Sequence, residues 1–335
     1  MKTPRALSLL ALPAAAVLVL SGCASGDGGG AGAGAAGSSS DDGGAIAVVA
    51  STNVFGDIAK TVGGDAVDVT SVISDPSQDP HSYEADARTQ LAVSRADVVI
   101  QNGGGYDEFM HTLLDASGSD AAVIDAVEVS GLDGDEHGAD EHGADEHSDE
   151  TAGADEGDDH GEFNEHVFYS LPSMAALATA IADELGSVDP AQADTFTVNA
   201  ASFGEQIADL EAQAADVKTA HDGESVAYTE PVPGYLFDAM GLVNVTPADF
   251  TEAIEQGDDV SPAALNETLQ LFSDGSVDLL AYNEQTSSPE TEQVEEAATD
   301  AGVAIVPVTE LLPTGDDYVS WQQSNIDAIT AALEK

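Results

Sequence analysis

The sequence predicts an α/β protein built as two (β/α)4 lobes with parallel sheets, joined by a long linking helix. Three observations predict it. Apolar runs of strand length alternate with helically spaced apolar segments from Ala45 onward, which is the pattern of βαβ units. One uninterrupted helical pattern of about 28 residues divides that alternation, and at 1.5 Å per residue it would run about 42 Å. The length of 335 residues suits two domains of ordinary size.

Taken in order, residues 45–52 (AIAVVAST) form an apolar run of strand length. Val54, Phe55, Ile58, Ala59 and Val62 then recur at helical spacing, closed by Gly63 and Gly64. Residues 67–73 alternate as a strand does, and 74–83 are a polar loop. A helix is expected over 84–96, a buried strand over 97–101, a helix over 106–116 and a strand over 121–127. After an acidic insertion, a helix is expected over 171–185. Asp189-Pro190 reads as an N-cap followed by proline at the first helical position. The long helix that follows carries Phe196, Phe203, Ile207, Leu210, Ala214 and Val217 on one face. The second half repeats the alternation: strands over 225–229, 277–282 and 303–308, with helices over 233–240, 262–272, 289–301 and 316–333. The organisation expected is a signal peptide (1–22), a flexible tether (23–44), an N-terminal lobe (45–188) including the insertion (131–162), the linking helix (189–220) and a C-terminal lobe (221–335).

Lys2 and Arg5, an apolar run over 6–20 and the tetrapeptide Leu20-Ser21-Gly22-Cys23 have the layout of a secretory signal with a small-residue cleavage site. The tetrapeptide resembles the lipobox of bacterial lipoproteins, which implies lipidation at Cys23 and an extracytoplasmic chain anchored to the membrane by lipid. Cys23 is the only cysteine, so neither a disulfide framework nor a cysteine metal site is available. The Ala/Gly/Ser-rich stretch that follows reads as a tether reaching roughly 25 Å on random-coil scaling. The formal charge of −56 excludes a nucleic-acid binder, which needs a basic footprint. The same charge draws cations inward and is equally the mark of a salt-adapted surface.

Residues 134–166 (GDEHGADEHGADEHSDETAGADEGDDHGEFNEH) contain no Lys or Arg and repeat Asp-Glu-His three times at a spacing of five. Such a segment cannot bury enough apolar surface to offset its ordering entropy. Imidazoles interleaved with carboxylates suit a borderline divalent cation such as zinc. His137, His142, His147 and His160 are therefore candidate collectors of metal. The alternative is an acidic surface insertion whose histidines are incidental. His166 differs, because apolar residues resume directly after it. His111, inside a helical pattern, and His221, in an Ala-His-Asp-Gly turn, are read as packed or surface residues.

Three candidate ligands fall at strand ends or in loops outside the insertion: His81 after a strand, His166, and Glu230 at the end of SVAYTE. In open α/β sheets ligands bind beyond the carboxyl ends of strands. His81 and His166 would come from one lobe and Glu230 from the other. A metal held by both would sit in the cleft and bind more tightly when it closes.

The stretches ASTNVFGDIAKTVGGD, DPHSYEADARTQLAVSRADVVIQNGGGYDEFM, NEHVFYSLPSM, DPAQADTFTVNAASFGEQIADL and TEPVPGYLFDAMGL resemble the cluster A-I solute-binding proteins of metal ABC importers, and the acidic His-rich insertion resembles the zinc-uptake members. The resemblance implies two lobes on a long helix, with His81 as first ligand, His166 as second and Glu230 as third. It also implies a fourth ligand in the cleft loop Tyr282–Pro289, with Ser288 at the expected position and Glu284 as the nearby carboxylate. Two His with a carboxylate suit zinc; more oxygen ligands would suit manganese.

The function expected is capture of a divalent metal, zinc before manganese, for delivery to an ABC permease and its ATPase. A surface adhesin or metal-buffering lipoprotein is the alternative. A zinc hydrolase is a further one, although there is no His-Glu-x-x-His motif and a catalytic zinc must keep a position open for water.

Overall fold

The computed structural model describes residues 44–78, 80–132 and 163–335. Cys23, the tether and the insertion histidines His137, His142, His147 and His160 lie outside the described residues. Residues 44–335 form one compact unit that contains two four-stranded parallel sheets. The first has the order β2-β1-β3-β4, with β1 Ile46–Thr52, β2 Val67–Ile73, β3 Val98–Gln101 and β4 Ala122–Asp125. The second has the order β6-β5-β7-β8, with β5 Ser225–Tyr228, β6 Val243–Asn244, β7 Leu279–Asn283 and β8 Ala304–Val308. The two orders are the same topology written twice, each with a switch point beside its first strand.

Helices cover both sheets, so central strands are apolar on both faces. β7 (LLAYN) is buried at every residue. Helix α1 (Asn53–Gly63) follows β1 directly and buries the five apolar residues its spacing marked. It closes so near β2 that a Cβ on Gly63 would lie 2.3 Å from a Val67 methyl; only glycine fits there. The remaining first-lobe helices are α2 (Ala87–Val93), α3 (Glu108–Ser117), α4 (Ala126–Ser130) and α5 (Leu171–Val188). α2 is shorter than the 84–96 expected, because Asp86 caps it by accepting from the Arg88 and Thr89 amides.

The linking helix α6 runs Ala193–His221, 29 residues, and buries Phe196, Phe203, Ile207, Leu210, Ala214 and Val217. Its start corrects the expectation. Asp189 makes a local turn, its carboxylate accepting from the Ala191 amide at 3.0 Å, so the helix begins three residues after Pro190. The second lobe carries α7 (Gly234–Ala239), α8 (Ala248–Glu255), α9 (Pro262–Ser273), α10 (Pro289–Ala301) and α11 (Tyr318–Leu333). Neither β6, two residues long, nor α8 stands out in the sequence pattern.

The lobes share their core. One apolar cluster includes Phe55 and Phe168 of the first lobe, Phe203 of α6, Val226 and Leu279 of the second sheet, and Trp321 of α11. α11 returns from the second lobe to pack on α1 and α6. The Asn53 side chain both donates to and accepts from the backbone of Leu312, at 3.0 Å each way. This shared floor sets the carboxyl ends of both sheets against one cleft. Among the described residues no helix is long and apolar enough to cross a membrane.

Candidate metal centre

Each functional side chain stands just beyond the carboxyl end of a strand or in a loop that packs there. His81 lies in the loop between β2 and α2. His166 precedes a single 3-10 turn, Val167–Tyr169, which anchors it in the aromatic core. Glu230 follows β5 by two residues, Asn283 ends β7, and Glu310 follows β8 by two residues. His166, Glu230, Asn283 and Glu310 are all essentially inaccessible to solvent.

The imidazoles meet the carboxylate of Glu310. Its Oε2 lies 3.4 Å from His81 Nε2 and 3.9 Å from His166 Nε2. The other ring nitrogens are held from behind by two adjacent residues, Asn164 and Glu165. His81 Nδ1 faces Glu165 at 3.3 Å. His166 Nδ1 is 2.8 Å from Asn164 Oδ1, which also accepts the His166 amide at 3.0 Å. Asn164 Nδ2 donates to the Pro231 carbonyl at 2.8 Å, which orients the amide and makes Oδ1 the acceptor. His166 Nδ1 therefore carries its proton, and Nε2 presents its lone pair to the cleft. Burial, ahead of the opposing pull of Glu310, lowers the His166 pKa to about 4. The ring is neutral, the form that binds metal.

The carboxylates meet through one amide. Asn283 Nδ2 donates to Glu230 Oε2 at 2.5 Å and to Glu310 Oε1 at 2.8 Å. Burial first, then the nearness of Glu310, raises the Glu230 pKa. Burial works to raise that of Glu310 too, but His81, His166 and the Asn283 amide outweigh it and hold this carboxyl below its ordinary value. Glu230 Oε1 and His166 Nε2 are buried with no hydrogen-bond partner among the described residues. Such groups are costly unless something else satisfies them. Glu165 is raised to about 7, by burial first, against the opposing pull of His81.

His81, His166 and Glu230 are thus brought together. Glu284 is not: it is exposed at the start of a 3-10 turn, Glu284–Thr286. Ser288 is also engaged elsewhere, capping α10 by accepting from the Glu290 and Thr291 amides. Glu310 instead is the carboxylate that stands with His81, His166 and Glu230. A signal for it existed in the sequence: SVAYTE and IVPVTE both place Thr-Glu directly after a strand. Both threonines are structural, Thr229 Oγ1 accepting the Asn283 amide at 3.0 Å and Thr309 Oγ1 the Trp321 indole N–H at 3.2 Å.

A second grouping lies on the outer side, where His81, Glu165, His166 and Glu255 can each bring a donor atom within 4.8 Å of the others. It faces an open cavity of about 800 Å³ lined also by Asn164, Tyr228 and Tyr235. The inner set is the better centre. Asn164 already occupies His166 Nδ1, the nitrogen that faces Glu255 at 3.8 Å, whereas the inner set holds the buried atoms without partners. Two neutral imidazoles and two carboxylates would balance a doubly charged cation with no charge left over.

The family model described as "Zinc-uptake complex component A periplasmic" (ZnuA) matches residues 48–332. The manganese ABC transporter substrate-binding lipoprotein PsaA of Streptococcus mitis is 23% identical, over 95% of this chain and 96% of its own. The manganese-binding lipoprotein MntA of Halalkalibacterium halodurans is also 23% identical, over 68% of this chain and 66% of its own. The solved structure of the periplasmic zinc-binding protein TroA from Treponema pallidum superposes with a TM-score of 0.68 at 19% identity, covering 87% of this chain and 99% of that one. The twin lobes, the linking helix and the match across nearly all the folded residues place the chain in the ZnuA family of metal-uptake binding proteins.

Proposed function

We propose that the chain captures zinc in the cleft between its lobes, holds it with His81, His166, Glu230 and Glu310, and delivers it to an ABC permease and its ATPase. Family membership makes it the metal-binding component of an ABC uptake system. The choice of zinc rests on the donors. Two imidazole nitrogens and two carboxylate oxygens make a four-coordinate nitrogen–oxygen set, the preference of zinc, and affinity in such a set favours zinc over manganese. The chain acts outside the cytoplasm, anchored through lipid on Cys23. His137, His142, His147 and His160 raise the local supply of metal.

The reading is of a binding protein and not an enzyme. Four protein ligands leave no open position for a reacting water, and Glu165 and Asn164 are engaged in orienting the two histidines. The observation that carries the proposal is the convergence of both imidazoles on Glu310 Oε2, with Glu230 tied to the same carboxylate through Asn283.

The test is the zinc content of residues 45–335 as wild type, as His81→Ala and with residues 134–160 deleted. One tight zinc retained by the deletion and lost in His81→Ala is expected. Zinc lost with the deleted segment and indifferent to His81 would overturn the cleft in favour of an acidic metal buffer. Tight manganese in place of zinc would keep the transport role and overturn the metal.

A further inference from the structure

The cleft carboxylates are not left to choose how they bind. Asn283 is wholly buried, and its backbone is fixed by the Thr229 hydroxyl at 3.0 Å. Its Oδ1 accepts the Gln285 amide at 3.1 Å, so the amide cannot flip without losing that bond, and both Nδ2 hydrogens point into the site. One reaches Glu230 Oε2 and the other Glu310 Oε1. The Thr286 hydroxyl donates to the same Glu230 oxygen at 2.5 Å. One oxygen of each carboxylate is thereby committed to protein donors. Glu230 Oε1 remains on one side, and on the other Glu310 Oε2, the atom facing both imidazoles.

A carboxylate oxygen that accepts a hydrogen bond is a weaker donor to a metal and is held away from symmetric chelation, so each carboxylate favours binding through its other oxygen. Two such carboxylates and two imidazoles give four ligands, which suits zinc. Were both carboxylates free to chelate through both oxygens, the same four side chains would offer six donors, four of them oxygen, which suits a harder and larger ion such as manganese. We propose that Asn283 is a specificity-determining positioning residue: by occupying one oxygen on each of Glu230 and Glu310 it holds both carboxylates to single-oxygen binding and so favours zinc over manganese. Asn283 touches no metal in this scheme and acts through the ligands. The inference rests on the cleft site proposed above and deepens it.

The test is the ratio of zinc to manganese affinity in the full chain, read by competition against a chelator. Binding that persists in His81→Ala is subtracted as belonging outside the cleft. The coordination number is read by X-ray absorption at one equivalent of each metal. Asn283→Leu keeps the approximate volume and removes both donors. Its zinc-to-manganese ratio is expected to fall roughly tenfold or more, within the range that outer-shell partners command, and the manganese coordination number to rise. Thr286→Val, which removes only one of the two donors on Glu230, is expected to shift the ratio in the same direction by less; it carries the test if Asn283→Leu does not fold. Equal loss of both metals in Asn283→Leu, or an unchanged ratio and coordination number in whichever variant folds, would overturn the proposal. Failure of the cleft reading is distinguishable, since His81→Ala would then leave tight zinc undisturbed.

Discussion

The two lobes share a strand order and differ in what they place at its end. The first lobe contributes nitrogen: His81 and His166, each backed by the side chain of a residue from the run Asn164-Glu165. The second contributes oxygen: Glu230 and Glu310, joined by Asn283 at the tip of β7. The halves are electrostatically opposite problems. Buried imidazoles prefer neutrality, and His166 is held neutral by burial. Two buried carboxylates repel, and together they need a proton or a cation. Neither half makes a good metal site alone, and the shared apolar floor fixes them face to face. The difference places the imidazoles in one lobe and the carboxylates in the other, a division of donors that would suit a doubly charged ion.

The comparison breaks most sharply at Glu310. Glu310→Ala removes the carboxylate that both imidazoles face, and cleft zinc affinity should fall by roughly 150- to 5,000-fold, the equivalent of the roughly 3–5 kcal/mol lost when a buried charge partner is removed. Glu284→Ala, at an exposed position, should leave it unchanged. Chelator competition checks both, and an effect at Glu284 with none at Glu310 would make Glu284 the cleft carboxylate instead.

Asn164 sharpens the comparison on the nitrogen side. It orients His166 and crosses the cleft to Pro231, while Tyr235 donates back to its carbonyl at 2.7 Å. Asn164→Ala should cost about 10–100-fold in zinc affinity, and Asn164→Asp, which keeps an oxygen for Nδ1, should recover part of it. Equal loss in both variants would mean that the bond to Pro231 matters more than the tautomer.

The smallest effect is a matter of protons. At neutral pH His166 holds no proton on Nε2 for a metal to displace, whereas Glu230, its pKa raised by burial and by Glu310, retains one that a metal must displace. Zinc loading near pH 7 should therefore release up to about one proton from this group. Calorimetry in two buffers of different ionisation enthalpy would detect it, and Glu230→Gln should reduce it. For stability of the metal-free chain the signs run opposite ways. His166, depressed from 6.5 to about 4, costs stability as pH falls through that interval, because the unfolded chain takes up the proton first. Glu230, raised, costs stability as pH climbs from its ordinary value through the raised one. Thermal unfolding of wild type against Glu230→Gln between pH 5 and about 8.5 would separate the two contributions.

Most of the fold was legible because strands buried on both faces are continuous apolar runs and the covering helices carry a one-sided stripe. The exceptions are physical. β6 is two residues long and half exposed, and α8 is short, so neither makes a pattern. α6 begins after Pro190 because a local Asp189 turn outcompetes the N-cap. Of the site, His81, His166 and Glu230 stood out as ligand types at strand ends or in recognisable motifs. Glu310 stood at a strand end too, in the Thr-Glu pair that Glu230 also shows, but among 63 acidic residues that one repeated pair is a faint signal.

The sequence by itself determined two lobes of alternating strand and helix, the helix between them, and which residue types could bind metal, because periodicity and ligand chemistry are local properties. Tertiary structure alone decided which carboxylate faces the histidines, that Glu165 stands behind His81, and that one amide holds two glutamates. Those facts depend on segments as far apart as His81 and Glu310, which meet at 3.4 Å, being folded against a shared apolar cluster, and no local pattern records that.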